Sequence, residues 1–335
     1  MFGFQKISQK LVEDLPQRTK DIIEQRFGLK TGQRMTLEAI GQNYDITRER
    51  VRQIEADGFS KITPKIRTID HVFSYFADEI KKSGNLRKEE ALLNLLGQEK
   101  FQNYVFFLLT LGEKFERFYQ TNHLHSLWTI DKNSVNLAKD FLGFLNKRFQ
   151  KFNRPLTLEE ITKLTSSEFK KPLALPAISS YMEIAKRIQK GPEGTFGLKD
   201  WSEINPRGVK DRAYLVFKKE GRPLHFREVT KLINKSEFDF PEALPQTVHN
   251  ELIKDDRFVL VGRGLYALAE WGYQPGVVKD VIADVLKGAK KPLSKKEVVE
   301  KVSKKRFVKK STILLNLSNQ EYFLKNSQGK YTLKS

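Results

Sequence analysis

One pattern recurs four times along most of this chain and limits its fold more than any other feature. Leu86-Arg-Lys-Glu-Glu-Ala, Arg154-Pro-Leu-Thr-Leu-Glu-Glu-Ile, Arg222-Pro-Leu-His-Phe-Arg-Glu-Val and Lys291-Pro-Leu-Ser-Lys-Lys-Glu-Val open the copies. Their leucines at 86, 156, 224 and 293 lie 70, 68 and 69 residues apart. Each copy closes on a short run bearing an aromatic: Leu127-Trp-Thr-Ile130, Thr195-Phe-Gly-Leu198, Leu265-Tyr-Ala-Leu268 and Lys330-Tyr-Thr-Leu333. The aromatics are 68, 70 and 65 residues apart. Self-similarity at a fixed period means one supersecondary unit built repeatedly.

The unit has the parts of a winged helix. Thr157 with Glu160, and Ser294 with Glu297, are capping-box pairs that start a helix after a proline-leucine bend. The run Leu244-Pro-Gln-Thr-Val-His-Asn-Glu-Leu-Ile253 supplies a third helix. Phe258-Val-Leu-Val-Gly-Arg-Gly-Leu-Tyr-Ala-Leu268 reads as a hairpin turning at Gly262-Arg263-Gly264. A helix ahead of each bend, at 209–219 or 277–286, completes a three-helix core. The expected fold class is mainly α with small β-hairpin wings, four winged helices in tandem. The presumed third helices differ in character. Those at 101–115 and 175–188 are mostly apolar or mixed, and suit protein contact. Lys309, Lys310, Ser311 and Thr312 suit an approach to DNA.

Ahead of the repeats, Arg34-Met-Thr-Leu-Glu-Ala-Ile-Gly-Gln-Asn-Tyr-Asp-Ile-Thr-Arg-Glu-Arg-Val-Arg-Gln-Ile-Glu-Ala-Asp-Gly-Phe-Ser-Lys61 reads as two short helices joined by a tight turn. Thr36 caps the first, with Glu38 in its first turn, and Thr47 caps the second. Leu37, Ile40 and Tyr44 form one apolar face, and Val51 and Ile54 another. At 100° per residue, Arg48, Glu49, Arg52 and Gln53 gather opposite Val51. That set suits a major-groove reader: Arg forks onto guanine, Glu accepts from cytosine N4, and Gln pairs with adenine. A helix of about residues 12–26 is expected before it.

Thr36-Leu-Glu-Ala-Ile-Gly and Ile46-Thr-Arg-Glu-Arg-Val-Arg-Gln-Ile-Glu-Ala resemble region four of sigma-70 family transcription initiation factors. The upstream Arg18-Thr-Lys-Asp-Ile-Ile-Glu-Gln-Arg-Phe-Gly-Leu29 is similar to the helix before it in that family. The resemblance covers residues 10 to 66. It implies that Arg48, Glu49, Arg52 and Gln53 face bases of a minus-35 promoter element. It also implies that the preceding helix packs on the flap of the RNA polymerase beta subunit. Asp57 stands where the family usually carries a lysine, removing a basic contact. Nothing resembles region two, so a complete initiation factor is not expected. The third repeat, through Arg222-Pro-Leu-His-Phe-Arg-Glu-Val, Thr247-Val-His-Asn-Glu-Leu, Asp256-Arg-Phe-Val and Val261-Gly-Arg-Gly-Leu-Tyr-Ala-Leu-Ala-Glu-Trp271, resembles the HARE-HTH domain. That resemblance implies recruitment to DNA or transcription machinery, with no catalytic residues attached.

The chain has 335 residues and a net charge of +19, which points to a polyanionic partner. From Lys279 to Ser335 there are 15 Lys or Arg against 5 Asp or Glu, so +10 lies at this end. Phosphate contacts are expected at Arg34, Thr36, Thr47, Arg50, Arg263, Lys309 and Lys310, binding DNA without choosing sequence. The chain has no cysteine, which removes disulfides and thiolate metal sites and fits a reducing compartment. No apolar run is long enough to span a bilayer, and the opening Met-Phe-Gly-Phe-Gln-Lys runs into a polar segment, so no secretory leader is expected. His123 and His125 lack metal-ligand support, no phosphate-loop pattern occurs, and the carboxylates are scattered. No metal, no cofactor and no catalytic residue are therefore expected.

The expected organisation is a region-four-like helix-turn-helix at 1–67 and a connecting helix at 68–83. A degenerate winged helix at 84–132, a winged helix at 133–205, a HARE-HTH-like winged helix at 206–273 and a basic winged helix at 274–335 follow. The expected function is a non-enzymatic, cytoplasmic and nucleoid-associated DNA-binding transcription factor that contacts double-stranded DNA and the polymerase core. An accessory polymerase subunit acting through protein contacts is one alternative. A nucleoid-architectural protein using charge alone is another.

Overall fold

The computed structural model describes residues 3–169, 172–235, 241–273, 276–289, 291–306 and 308–334. It divides into two compact units, residues 1–200 and 201–335.

The first unit opens with α1 (Phe4–Val12) and α2 (Gln17–Phe27). The single helix expected over 12–26 is in fact two. Pro16 N-caps α2, and a residue held at the fixed backbone angle of proline begins a helix better than it continues one. Next come α3 (Leu37–Asn43) and α4 (Arg48–Ile62), a 3-10 turn at Thr63–Ile69, and α5 (Asp70–Lys82). Then β1 (Leu86–Lys88), α6 (Glu89–Leu111), β2 (Glu116–Phe118) and β3 (Leu127–Thr129) form a three-stranded antiparallel sheet in the order β1-β3-β2 with its helices. Helix α6 is interrupted at Gln98, whose φ of 49° and ψ of −166° are not helical. The break divides it into the second and third helices of a winged helix whose first helix is α5. The segment expected as a connector is thus part of the first repeat.

The second repeat consists of α7 (Lys132–Phe152), α8 (Leu158–Glu168), α9 (Leu175–Glu183), and the hairpin of β4 (Ile188–Lys190) and β5 (Phe196–Leu198). Asn153, in the left-handed conformation, ends α7, and the expected capping box of Thr157 and Glu160 starts α8.

In the second unit, α10 (Val209–Glu220), β6 (Leu224–His225), α11 (Phe226–Lys235), α12 (Pro245–Lys254), β7 (Phe258–Gly262) and β8 (Leu265–Leu268) make the third winged helix, with strand order β6-β8-β7. The fourth has α13 (Val278–Ala289), β9 (Leu293–Ser294), α14 (Lys295–Lys305), α15 (Lys310–Leu317), β10 (Phe323–Lys325) and β11 (Lys330–Leu333), in the equivalent order β9-β11-β10.

The sequence repeat has a direct structural meaning. The repeat leucine sits on the short first strand, opposite the repeat aromatic on the last strand of the wing. Leu156 bridges to Phe196, Leu224 pairs with Tyr266, and Leu293 with Tyr331. In the first copy Leu86 pairs with Thr129, one position past Trp128, which pairs with Arg87. All four leucines are buried.

The expected boundaries at 67 and 83 do not separate cores. One buried cluster runs from Phe4 and Leu11 of α1 through Ile23 and Phe27 of α2, Ile62 of α4 and Phe76 of α5. It continues into Leu92, Phe106 and Phe107 of α6 and Trp128 of β3. The Phe27 ring meets Phe107 at 5.1 Å and Phe106 at 6.0 Å, while Phe59 meets Phe107 at 6.4 Å. Polar links repeat the attachment: Tyr104 donates its hydroxyl to the Leu29 carbonyl at 2.8 Å, and the Asn103 amide donates to the Gly32 carbonyl at 2.7 Å. The helix-turn-helix is therefore built onto the first winged helix. Truncating a fully buried phenylalanine costs about 3–5 kcal/mol. Phe107→Ala should accordingly lower the thermal midpoint and also deprotect the amides of α2 and α4 in hydrogen exchange. Loss of protection confined to α5, α6 and the wing would show that the cores are separate.

Candidate nucleic-acid interface

The turn between α3 and α4 is fixed by two caps and one glycine. Thr36 Oγ1 accepts the Ala39 N–H at 3.1 Å, and Thr47 Oγ1 accepts the Arg50 N–H at 3.1 Å. Each satisfies a donor that the first turn of a helix leaves open. Asp45 takes the left-handed conformation at φ 53°, and the Ile46 N–H returns to the Gly41 carbonyl at 2.9 Å. A Cβ on Gly41 would lie 2.7 Å from the Ile46 carbonyl oxygen. The obstacle is backbone, so only glycine fits there.

Beneath the turn, Ile22, Ile40 and Val51 are fully buried, with Met35, Leu37, Tyr44, Ile46 and Ile54 packed around them. Farther along α4, Gly58 lets the helix cross α2 closely. Its Cβ would meet Ile23 Cδ1 at 2.6 Å and Thr19 Cγ2 at 2.9 Å.

With Val51 held inward, Arg48, Glu49, Arg52 and Gln53 are exposed together. Arg52 forks onto Glu49, its Nε and Nη2 donating at 2.9 and 2.7 Å. The paired guanidinium keeps the Glu49 carboxyl below its usual range and raises the affinity of Arg52 for its proton. Arg50 donates to Gln53 Oε1 at 3.1 Å. Such exposed pairs are worth about 0–1 kcal/mol, so DNA can open them cheaply. Asp57, in the position of the missing lysine, accepts from Lys61 at 2.8 Å.

The residues named for phosphate contact are dispersed. Thr36 and Thr47 cap the two helices at the helix-turn-helix surface. Arg34 is exposed, and its guanidinium lies over the Phe106 ring of α6 at 4.3 Å. Burial of the group, together with nearby Arg117 and Arg26, lowers its proton affinity, partly offset by Glu89. In the second unit, Arg263 stands exposed at the wing turn of the third winged helix, and Lys309 and Lys310 are exposed at the start of α15.

The four third helices separate into two classes. The second half of α6 buries Val105 to Leu109 and Leu111. Helix α9 buries Ala177, Ile178, Tyr181 and Met182; Ser180 Oγ donates to the Leu86 carbonyl and Tyr181 to the Gly84 carbonyl. These two helices are spent on packing inside the first unit. Helix α12 buries Val248 and Leu252, α15 buries Ile313 and Leu317, and each keeps a polar outer side.

Sequence reasoning did not single out Phe106, Arg117 and Tyr119. They line a groove of about 490 Å³ together with Leu37 and Arg52. No sequence signal marks them, because the groove is closed by residues about 80 positions from α3 in the chain. Among the described residues, no group of three or more Asp, Glu or His is placed to hold a metal ion, and no helix is long and apolar enough to cross a membrane.

Comparison with known proteins agrees with this geometry. Residues 11–63 match the family described as Sigma-70, region 4, and residues 207–271 match the HARE-HTH family, described as a restriction endonuclease HTH domain. Both families are DNA-binding domains. RNA polymerase sigma factor SigA of Nostoc sp. is 44% identical over 54 residues, which is 16% of this chain and 14% of that protein. RNA polymerase sigma factor sigB of Arabidopsis thaliana is 41% identical over 66 residues, 20% of this chain and 11% of the relative. RNA polymerase sigma factor RpoD of Neisseria gonorrhoeae is 34% identical over 77 residues, 23% and 12% respectively. The chain thus spans a small fraction of the length of these relatives, and the similarity lies in the helix-turn-helix region.

Because the Gly41 obstacle is a carbonyl that the turn itself needs, Gly41→Ala should destabilise this region by about 1–3 kcal/mol. Circular dichroism melting together with duplex binding would test this. Unchanged melting and binding would show that the turn yields easily.

Proposed function

We propose that the chain is a non-enzymatic, DNA-binding transcription factor that reads a minus-35-like promoter site with α4. The observation carrying this reading is the exposed quartet Arg48, Glu49, Arg52 and Gln53, set by two caps on a helix within the matched region-four segment. Arg52 and Arg48 would contact bases or the adjacent phosphates, with Glu49 and Gln53 completing the face. Thr36, Thr47 and Arg50 would meet the backbone around the helix-turn-helix, and Arg263, Lys309 and Lys310 would add contacts from the second unit.

Association with RNA polymerase belongs to the same proposal, and one observation shapes it. The apolar side chains of α2, namely Ile22, Ile23 and Phe27, are all buried within this chain. A flap contact through α2 would therefore run through its polar residues. The burial of the third helices of the first two winged helices favours a second reading, in which those units act as scaffold and protein-contact modules of a polymerase accessory subunit.

Full-length protein should be titrated with a minus-35-like duplex and a scrambled duplex across a salt series, beside Arg52→Ala. A preference for the promoter-like duplex is expected, and losing a bidentate base contact should reduce it by about 1–3 kcal/mol. Equal, steeply salt-dependent binding to both duplexes would overturn base reading. The double variant Lys309→Ala/Lys310→Ala should weaken both duplexes alike and flatten the salt dependence by about 0.9 for each phosphate no longer neutralised. An unchanged slope would remove α15 from the DNA-binding surface.

A further inference from the structure

The groove that joins the recognition helix to the first winged helix carries charge that the helix-turn-helix itself does not use. Arg34, just ahead of α3, and Arg117, on β2, lie over the same Phe106 ring, at 4.3 and 4.9 Å. Their partners differ. Arg117 forks onto Glu89 at 2.5 and 2.8 Å, and Glu89 also accepts the Trp128 indole N–H at 3.0 Å. Arg34 has no hydrogen bond or ion pair among the described residues, and is held only against the ring face. Beyond Arg117, the Tyr119 ring lies 4.6 Å from its guanidinium and is 72% exposed.

The groove has Arg52 of α4 and Leu37 of α3 on one side, and Arg117 and Tyr119 of the wing on the other. At 100° per residue, the α4 positions lining it (Arg52, Glu55, Ala56 and Phe59) flank the edge of the reading face. A wing in that position stands beside the recognition helix. When such a helix occupies the major groove, the element beside it meets the bordering sugar-phosphate strand. The arginines are counterbalanced only in part. Glu89 holds Arg117 and Glu49 holds Arg52, while Arg26 lies 3.5 Å from Glu55 and leaves Arg34 open. Burial raises the proton affinity of Glu55, so its countercharge is the most easily lost.

We propose that Arg34, Arg117 and Tyr119 form a backbone clamp, by which the first wing holds a phosphate strand of the same duplex that α4 reads. Phe106 is the platform that aims Arg34, and the two planar cations on its face leave guanidinium edges free for phosphate oxygens. Tyr119 supplies a hydroxyl and a ring at the rim. The first winged helix therefore contacts DNA through its wing, although its third helix is buried. This inference rests on α4 docking in a major groove.

Two measurements on the full-length chain test it. Arg34→Gln should flatten the dependence of log affinity on log salt by about 0.9. It should lower affinity for promoter-like and scrambled duplexes by the same factor, leaving their ratio unchanged. An unchanged salt slope would overturn the clamp, as would a changed ratio at unchanged slope. The absence of cysteine permits the second test, since Tyr119→Cys carries the only thiol and can be labelled with a radical-generating iron chelate. Strand scission confined to one flank of the bound site is expected. Scission no stronger than from the same chelate on Ser60→Cys would overturn the clamp even where Arg34→Gln behaves as expected. Failure of base reading is recognisable separately, because wild-type protein would then bind both duplexes equally, while the Arg34→Gln slope would still report the phosphate contact.

Discussion

The packing of Phe27 and Phe59 against Phe106 and Phe107 is the interaction on which the first unit depends. A helix-turn-helix of this size has a small core of its own, centred on Ile22, Ile40 and Val51. Its remaining apolar surface, along Ile23, Phe27, Phe59 and Ile62, would face water in isolation. Helix α6 covers it, and the break at Gln98 turns the second half of that helix toward the task. One seam of aromatic rings thus supplies the outer wall of the helix-turn-helix and the centre of the winged helix. Burial of this kind is favourable in proportion to the apolar area removed from water, and aromatic pairs contribute large areas.

What could be read from the sequence was local or periodic. The repeat leucines and aromatics are legible because a strand pair needs both members at a constant separation, and the structure places Leu156, Leu224 and Leu293 opposite Phe196, Tyr266 and Tyr331. The capping boxes at Thr157 and Ser294 form as their spacing predicts, because the bonds span three residues. The reading face followed from the inward position of Val51. The four winged helices and the region-four segment were legible for the same reasons.

The less legible features depend on distant partners. Nothing in Asn103 or Tyr104 announces that they bind the carbonyls of Gly32 and Leu29, more than 70 residues earlier. The run around Phe106 is apolar enough for any core, so its pattern does not say which core it enters. The break in α6 rests on one residue, Gln98, that composition gives no reason to single out. Helices α1 and α2 were read as one because the apolar spacing continues across Pro16, and the proline decided otherwise. Among the site residues, Arg34 was legible as a cation near a helix start, whereas its position over Phe106 was not.

The continuity of the first core also bears on the entropy of association. A recognition helix on a flexible tether must be ordered relative to its neighbours each time it binds, and that ordering opposes affinity. Here α4 crosses α2 at Gly58, α2 is walled by α6, and α6 leads into the wing strands. The relative orientation of helix and wing is settled when the chain folds, before any ligand arrives. The free energy of docking is then set by contacts and released counterions, with little spent on assembling the surface that makes them.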